Sequence, residues 1–268
     1  VIIDADCHIS SARFDDQAMS ASELVALMDR NGVDRALIWL RPPYLRDIEP
    51  ENRAVYRATQ DYPGRFLGFG WVNPRLGRQV ALDTIERCFE EYGFCGVKFN
   101  GAQDEYVIDD PVLAMPLIEK AATYGKPIAF HIGADFYENT HPARLGRIAG
   151  AFPETTFLMV HMGGAGLPAL DRSAVEVAAE HANIALIGSS IHELAILRAI
   201  RSLGPERVCF GSDAPFRLQH VQLAMYRALL RDFDDATRDK VLGDTIARLV
   251  QPIDIKCPSG SSSEAPWR

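Results

Sequence analysis

The feature that most restricts this chain is an alternation. Eight short apolar runs recur, each followed by a longer segment of helical period. The runs extend from Val1 to His8, Arg35 to Leu40, Phe66 to Val72, Gly96 to Asn100, Pro127 to Ile132, Thr156 to His161, Ile184 to Ser189 and Arg207 to Ser212. Apolar runs of this length suit parallel strands covered on both faces, and eight is the number with which a (β/α)₈ TIM barrel closes. The intervening segments carry helix punctuation. Ser20 and Glu23 form a capping box, and Gly32 stops that helix. Asp110 and Pro111 open another helix, with a stripe at Leu113, Leu117, Ile118 and Ala121 and a stop at Gly125. An open doubly wound sheet would use the same alternation. With 268 residues and no long low-complexity interruption, the expectation is an α/β barrel forming a single catalytic domain over 1–255. Residues 256–268, polar and rich in Pro, Gly and Ser, read as a flexible tail.

Charge and cysteine usage narrow the function classes. The formal net charge of −8 is spread along the chain, with no cluster of Lys and Arg interleaved with aromatics. Neither nucleic acid nor an anionic membrane surface is expected. No apolar run approaches the roughly 20 residues that a bilayer crossing needs. The five cysteines, Cys7, Cys88, Cys95, Cys209 and Cys257, form no C-x-x-C pair and read as small buried residues of a reducing compartment. No charged leader precedes the first run, so the expected location is the cytoplasm and the expected partner a small molecule. A homo-oligomer stays open.

Strand periodicity then sorts the polar residues. In the first run Asp4, Asp6 and His8 alternate with apolar residues and should share the inward face, since ionisable groups packed under helices would be buried without water. Lys98 and Asn100 share a face of the fourth strand in the same way. Arg41 and Trp71 fall where the second and third strands run out, and are expected to line a pocket. His131, His161 and Asp213 end the fifth, sixth and eighth strands. Polar groups at one end of several barrel strands converge on the axis, where such barrels carry their active sites. Each histidine alone could simply satisfy a backbone carbonyl; four strand ends finishing alike point to a site.

These residues carry a resemblance. IIDADCHIS is similar to a first-strand I-D-x-H-x-H pattern, GVKF to a fourth-strand lysine motif, FHIG and VHMGG to two later histidine motifs, and FGSDAPF to a last-strand G-S-D-x-P. Together, in this order, they resemble the amidohydrolase-related family of the metal-dependent hydrolase superfamily, over nearly the whole chain to about Val250. The resemblance implies that His8, His131 and Asp213 ligate one divalent metal, and that His161 and Asp213 are catalytic. One position departs from the pattern, because Asp6 stands where histidine is usual. A carboxylate can replace imidazole as a ligand, so Asp6 joins the expected metal set, and two carboxylates suit Zn²⁺ or Mn²⁺ about equally.

The leading expectation is a metal-dependent hydrolase of a small carboxylated lactone, ester or amide. Metal-activated water would attack, and Lys98, Arg41, Trp71 and Asn100 would bind the substrate. Two alternatives stand beside it. One is a metal-dependent non-oxidative decarboxylase of an aromatic or muconate-type acid, against which the short chain counts, since such enzymes tend to be longer. The other is a metal-free lactonase with Asp213 as base. A ligand-binding barrel that has lost catalysis is a further reading from another class.

Overall fold

In the computed structural model, which describes residues 1–13, 15–42, 48–133, 136–164 and 170–250, the eight runs become eight parallel strands. They are β1 (Ile3–Ile9), β2 (Arg35–Leu40), β3 (Phe66–Val72), β4 (Gly96–Phe99), β5 (Ile128–Gly133), β6 (Phe157–Gly163), β7 (Ile184–Ile187) and β8 (Val208–Cys209). Each pairs with the next in the order β1 to β8. Backbone bonds from Ala5 N–H to Phe210 O (2.9 Å) and from His8 N–H to Ala214 O (2.7 Å) link the last strand region to the first. The chain therefore forms the expected (β/α)₈ barrel.

The helices are α1 (Ala21–Asn31), α2 (Glu49–Asp61), α3 (Arg78–Glu86), α4 (Met115–Ala122), α5 (Pro142–Ala151), α6 (Leu170–Glu180), α7 (Glu193–Leu203), α8 (Gln219–Leu229), α9 (Asp235–Asp239) and α10 (Thr245–Val250). Among the described residues no helix is long and apolar enough to cross a membrane. The end of the expected domain at 255 and the expected tail, 256–268, lie outside the described residues.

Buried apolar side chains separate into two groups. Ile3, Ala5, Leu37, Trp39, Leu67, Phe69, Ala129, Leu158, Val160 and Ile187 fill the barrel interior, with Ile246 and Val250 of α10 packed into the same cluster. The second group, including Cys7, Ile38, Val97, Phe99, Ile128, Phe130 and Met159, lies between strands and helices. A Cβ on Gly243, just before α10, would come within 2.1 Å of Val1 O, which puts α10 at the end where the strands begin. The opposite end is left for polar side chains.

One inward residue corrects the alternation expected for β1. The pairing of β1 with β2 slips by one residue between Asp4 and Cys7, a β-bulge. Ala5 lies in the interior cluster and Cys7 in the outer one. The extra residue lets Asp6 and His8 face inward while Asp4 turns outward, to Gln219 Nε2 of α8 (2.9 Å) and Ser212 N–H (2.7 Å). Asp4 is thus a strut behind the site and not a member of it.

The helix ends follow the sequence with one exception. Ser20 caps α1 with the reciprocal Glu23 bond, and Gly32 ends it at φ +67°. α4 begins at Met115, four residues later than the Asp110–Pro111 signal indicates. Pro116 explains the delay. It has no N–H to give to the carbonyl four residues back, so it fits only the first turn, and a start at Pro111 would bury it in the helix interior. Asp110 instead caps a turn, its Oδ1 accepting N–H bonds from Val112 and Leu113.

Candidate active site

Regular strand geometry alone would not bring these side chains together. β7 and β8 end sooner than their apolar runs, because the residues that follow leave the ladder. His161, Met162, Ser190 and Asp213 all have left-handed backbone, with φ of 69°, 51°, 48° and 62°. Val160 already points into the barrel, so a regular next step would send His161 outward, and the left-handed turn brings it back. Such conformations cost non-glycine residues on the order of 1–3 kcal/mol each and gather at functional sites. The glycines of the two histidine motifs have a related task. Gly133 (φ +76°) lies where an added Cβ would be 1.8 Å from Gly163 O. Only with glycine there can the ends of β5 and β6 come close enough to set the His131 and His161 rings 4.6 Å apart.

The result is a compact polar cluster. Donor atoms of Asp6, His161 and Asp213 lie within 4.8 Å of one another, and all three residues are buried. His8 Nε2 is 3.5 Å from Asp6 Oδ1 and 3.5 Å from Asp213 Oδ1. Two serines beyond β7 tie the cluster together. Ser189 Oγ donates to Asp6 Oδ2 (2.5 Å) and lies 3.0 Å from His161 Nδ1. Ser190 Oγ donates to Asp213 Oδ2 (2.5 Å).

The imidazole tautomers follow from these partners. His161 Nδ1 also faces Ser189 O (3.3 Å), which can only accept, so Nδ1 carries the proton and Nε2 presents a lone pair. His8 Nδ1 donates to Leu40 O (2.8 Å), while Trp39 Nε1–H donates to His8 Nε2 (3.0 Å). Burial and Lys98 push the His8 imidazole towards its neutral form, and the Asp213 and Asp6 carboxylates overcome them and raise its pKa. The indole N–H aimed at Nε2 leaves no room for a second proton, so the neutral form is the one this geometry holds.

Electrostatics separate the two ends of the cluster. Burial works to raise the Asp6 carboxyl, but Lys98, His8 and His161 together hold it well below the usual carboxylate range. His131 is pushed well down, first by burial and then by the nearby His161 and Lys98, and stays neutral. The Lys98 ammonium is 1% exposed, and burial lowers its pKa to about 8 against the pull of Asp6 and Asp213. No carboxylate oxygen comes within salt-bridge distance of it among the described residues. Its Nζ instead sits 3.5 Å from the Trp39 ring centroid and 5.5 Å from that of Trp71.

The other sequence candidates are more dispersed. Arg41 donates two bonds to Asp15 (2.7 and 2.6 Å) and lies 5.7 Å from the Phe216 ring. Asn100 serves its own loop, its Oδ1 accepting from Ala102 and Gln103 N–H. Trp71 is buried and donates its indole N–H to Asp104 Oδ2 (2.8 Å). Sequence reasoning missed Ser189, Ser190, Trp39 and Asp104. The pair Ser189-Ser190 directly after a strand was the available signal, although serine there is also an ordinary loop residue.

A divalent ion is the group that the motifs imply, and the residues fit one. Asp6 Oδ1 and His131 Nε2 are buried with no hydrogen-bond partner among the described residues. Such atoms cost free energy unless something binds them. Mixed carboxylate and imidazole donors suit Mn²⁺ or Zn²⁺.

The chain resembles known proteins in sequence and in fold. A γ-resorcylate decarboxylase of Polaromonas sp. strain JS666 is 31% identical over 110 residues, 37% of this chain and 32% of that protein, so the match spans about a third of the relative. A 2-amino-3-carboxymuconate-6-semialdehyde decarboxylase of Dictyostelium discoideum is 21% identical over 241 residues, 76% of this chain and 67% of that protein. A 5-carboxyvanillate decarboxylase of Novosphingobium aromaticivorans, solved with manganese and 4-hydroxy-3-methoxy-5-nitrobenzoic acid, superposes with a TM-score of 0.76 at 16% identity, over 93% of this chain and 96% of that one. The family model described as amidohydrolase matches residues 3–251, from the first barrel strand to the last helix. The strand-end motifs, the barrel and this match place the chain in the amidohydrolase family.

Proposed function

We propose that this chain is a divalent-metal-dependent lyase that removes the carboxylate of a small aromatic acid as carbon dioxide. The observation that carries the reading is the pairing of an imidazole–carboxylate cluster with a buried lysine that makes no ion pair with a carboxylate among the described residues and whose ammonium lies 3.5 and 5.5 Å from two indole rings. A flat ring bearing a carboxylate complements that combination. Hydrolysis of a lactone, ester or amide, the leading expectation from the motifs, is the lesser reading, because the relatives described above are named as decarboxylases. The structural match spans nearly the whole of the 5-carboxyvanillate enzyme, so chain length is no objection.

Asp6, His8, His131 and Asp213 would hold the ion, His8 giving up the Trp39 N–H in exchange. The manganese of the solved relative favours Mn²⁺ here. When bound, the ion supplies a Lewis acid that polarises the substrate carboxylate and a neighbouring oxygen. Lys98 anchors that carboxylate through charge-assisted bonds. His161, its proton fixed on Nδ1 by Ser189, accepts a hydrogen bond from a ring hydroxyl at Nε2. Asp213, 8% exposed against 0% for Asp6, is the more open carboxyl; it takes a proton from solvent water and delivers it to the ring carbon that bears the carboxylate. The carbon–carbon bond then breaks, its electron pair restores the ring, and carbon dioxide leaves.

The test is turnover of a panel of hydroxy- and aminobenzoic acids by manganese-loaded and chelator-treated protein. Carbon dioxide release that requires the ion supports the proposal. Turnover that persists at the same rate after the ion is stripped would refute it.

A further inference from the structure

Asp104 lies in the loop after β4 and is fully buried. Its Oδ2 accepts the Trp71 indole N–H at 2.8 Å, while Oδ1 has no hydrogen-bond partner among the described residues. The nearby cation, Arg75, bonds instead to Glu105 O and Oε2 (3.1 and 3.2 Å). A buried carboxyl satisfied at only one oxygen is a poor device for stability. What it does hold is an indole edge, and with it the angle of the face that Trp71 turns to Lys98. The second wall of the same enclosure is fixed in the same manner, by the Trp39 N–H bond to His8 Nε2 (3.0 Å).

We propose that Asp104 is a positioning residue: by fixing Trp71 it keeps the Lys98 ammonium on the indole faces, out of ion pairs with Asp6 and Asp213, and so available to the carboxylate of the substrate. The cation is thereby stored beside two carboxylates without being neutralised by either. Attraction to an indole face holds an ammonium in place yet leaves its N–H donors free for an incoming anion. This inference rests on the aromatic-acid reading for its substrate, but not for the geometry of Lys98.

Two variants and three readouts test it. Asp104→Asn keeps an oxygen for the indole N–H; Asp104→Leu removes it. With γ-resorcylate as probe, Asp104→Leu should raise KM about tenfold with kcat changed less than about twofold, and Asp104→Asn should behave as the parent. Labelling of Lys98 by reductive methylation, quantified by peptide mass spectrometry, should slow in Asp104→Leu alone, because an ammonium paired with Asp6 or Asp213 holds its proton more tightly. The thermal midpoint of Asp104→Leu should fall only slightly, since losing a half-satisfied buried carboxyl offsets the Trp71 N–H left without an acceptor. Unchanged Lys98 labelling in Asp104→Leu would overturn the proposal, as would failure of Asp104→Asn to restore the parental behaviour, or a much lower midpoint with kcat and KM damaged together. If the parent protein neither binds nor converts γ-resorcylate, the decarboxylase reading fails for that acid, and the labelling comparison still decides the role of Asp104.

Discussion

Replacing Lys98 by methionine should make the protein more stable and the enzyme worse. Burial lowers the ammonium from its ordinary 10.5 to about 8. The folded state therefore binds this proton less tightly than the unfolded chain does, by about 3 kcal/mol at 1.36 kcal/mol per pKa unit. The penalty is complete below pH 8. It fades as pH rises from 8 to 10.5, where the folded protein has released a proton that the unfolded chain still holds, so the lysine's contribution becomes less unfavourable with rising pH. Contact with the indole faces returns up to about 2 kcal/mol. Methionine, similar in length and uncharged, should thus gain roughly 1–3 kcal/mol at pH 7, and each kcal/mol moves the midpoint of a chain this size by about 2–4 °C. The assay is thermal unfolding of chelator-treated parent and variant from pH 7 to pH 10.5. The gap between the two should be widest at pH 7 and close towards pH 10.5. Loss of the carboxylate anchor should lower kcat/KM roughly 10–150-fold, from about 1.5–3 kcal/mol for hydrogen bonds to a charged group. A variant less stable than the parent at pH 7, or a gap that ignores pH, would refute the placement of Lys98 as a buried, unpaired cation.

Ser189→Ala should disconnect Asp6 from His161 and lower kcat/KM by about ten- to a hundredfold with the fold intact, as read by circular dichroism and steady-state rates. Asp6→Asn should weaken manganese binding at least about tenfold by titration calorimetry, since it removes a ligand charge from the cluster. Asp4→Leu should leave the Ser212 N–H and the Gln219 amide unpartnered, destabilising the protein by about 2–4 kcal/mol in denaturant titration. Trp39→Phe removes the N–H that occupies the His8 lone pair, so manganese should bind about two- to tenfold more tightly, a change that competition with a chelating dye would detect.

How far the sequence reaches can be seen in particular residues. The barrel was legible because its signal is repeated: eight apolar runs with glycine and capping residues between them leave few topologies. Asp6, His8, His131, His161 and Asp213 were legible as strand-end polar groups, and they do border one small space. The local geometry was not legible. Asp4 and Asp6 are indistinguishable by alternation until a bulge separates them, and His161 reaches the cluster only through a left-handed step that no residue type announces. Asn100 and Arg41 read as substrate contacts because they follow strands, yet nearby groups already engage them, the loop amides at Asn100 and Asp15 at Arg41. Ser189, Trp39 and Asp104 gain meaning only when distant segments meet. Ser189 stands 183 residues from the Asp6 carboxylate to which it donates.

The central claim, decarboxylation at this cluster, is tested most directly by running manganese-loaded enzyme on a hydroxybenzoic acid that it converts, in D₂O. The account predicts one equivalent of carbon dioxide and one deuterium in the product, on the carbon that carried the carboxylate. A product that keeps its carboxylate and has gained the elements of water would contradict it and return the chain to the hydrolases.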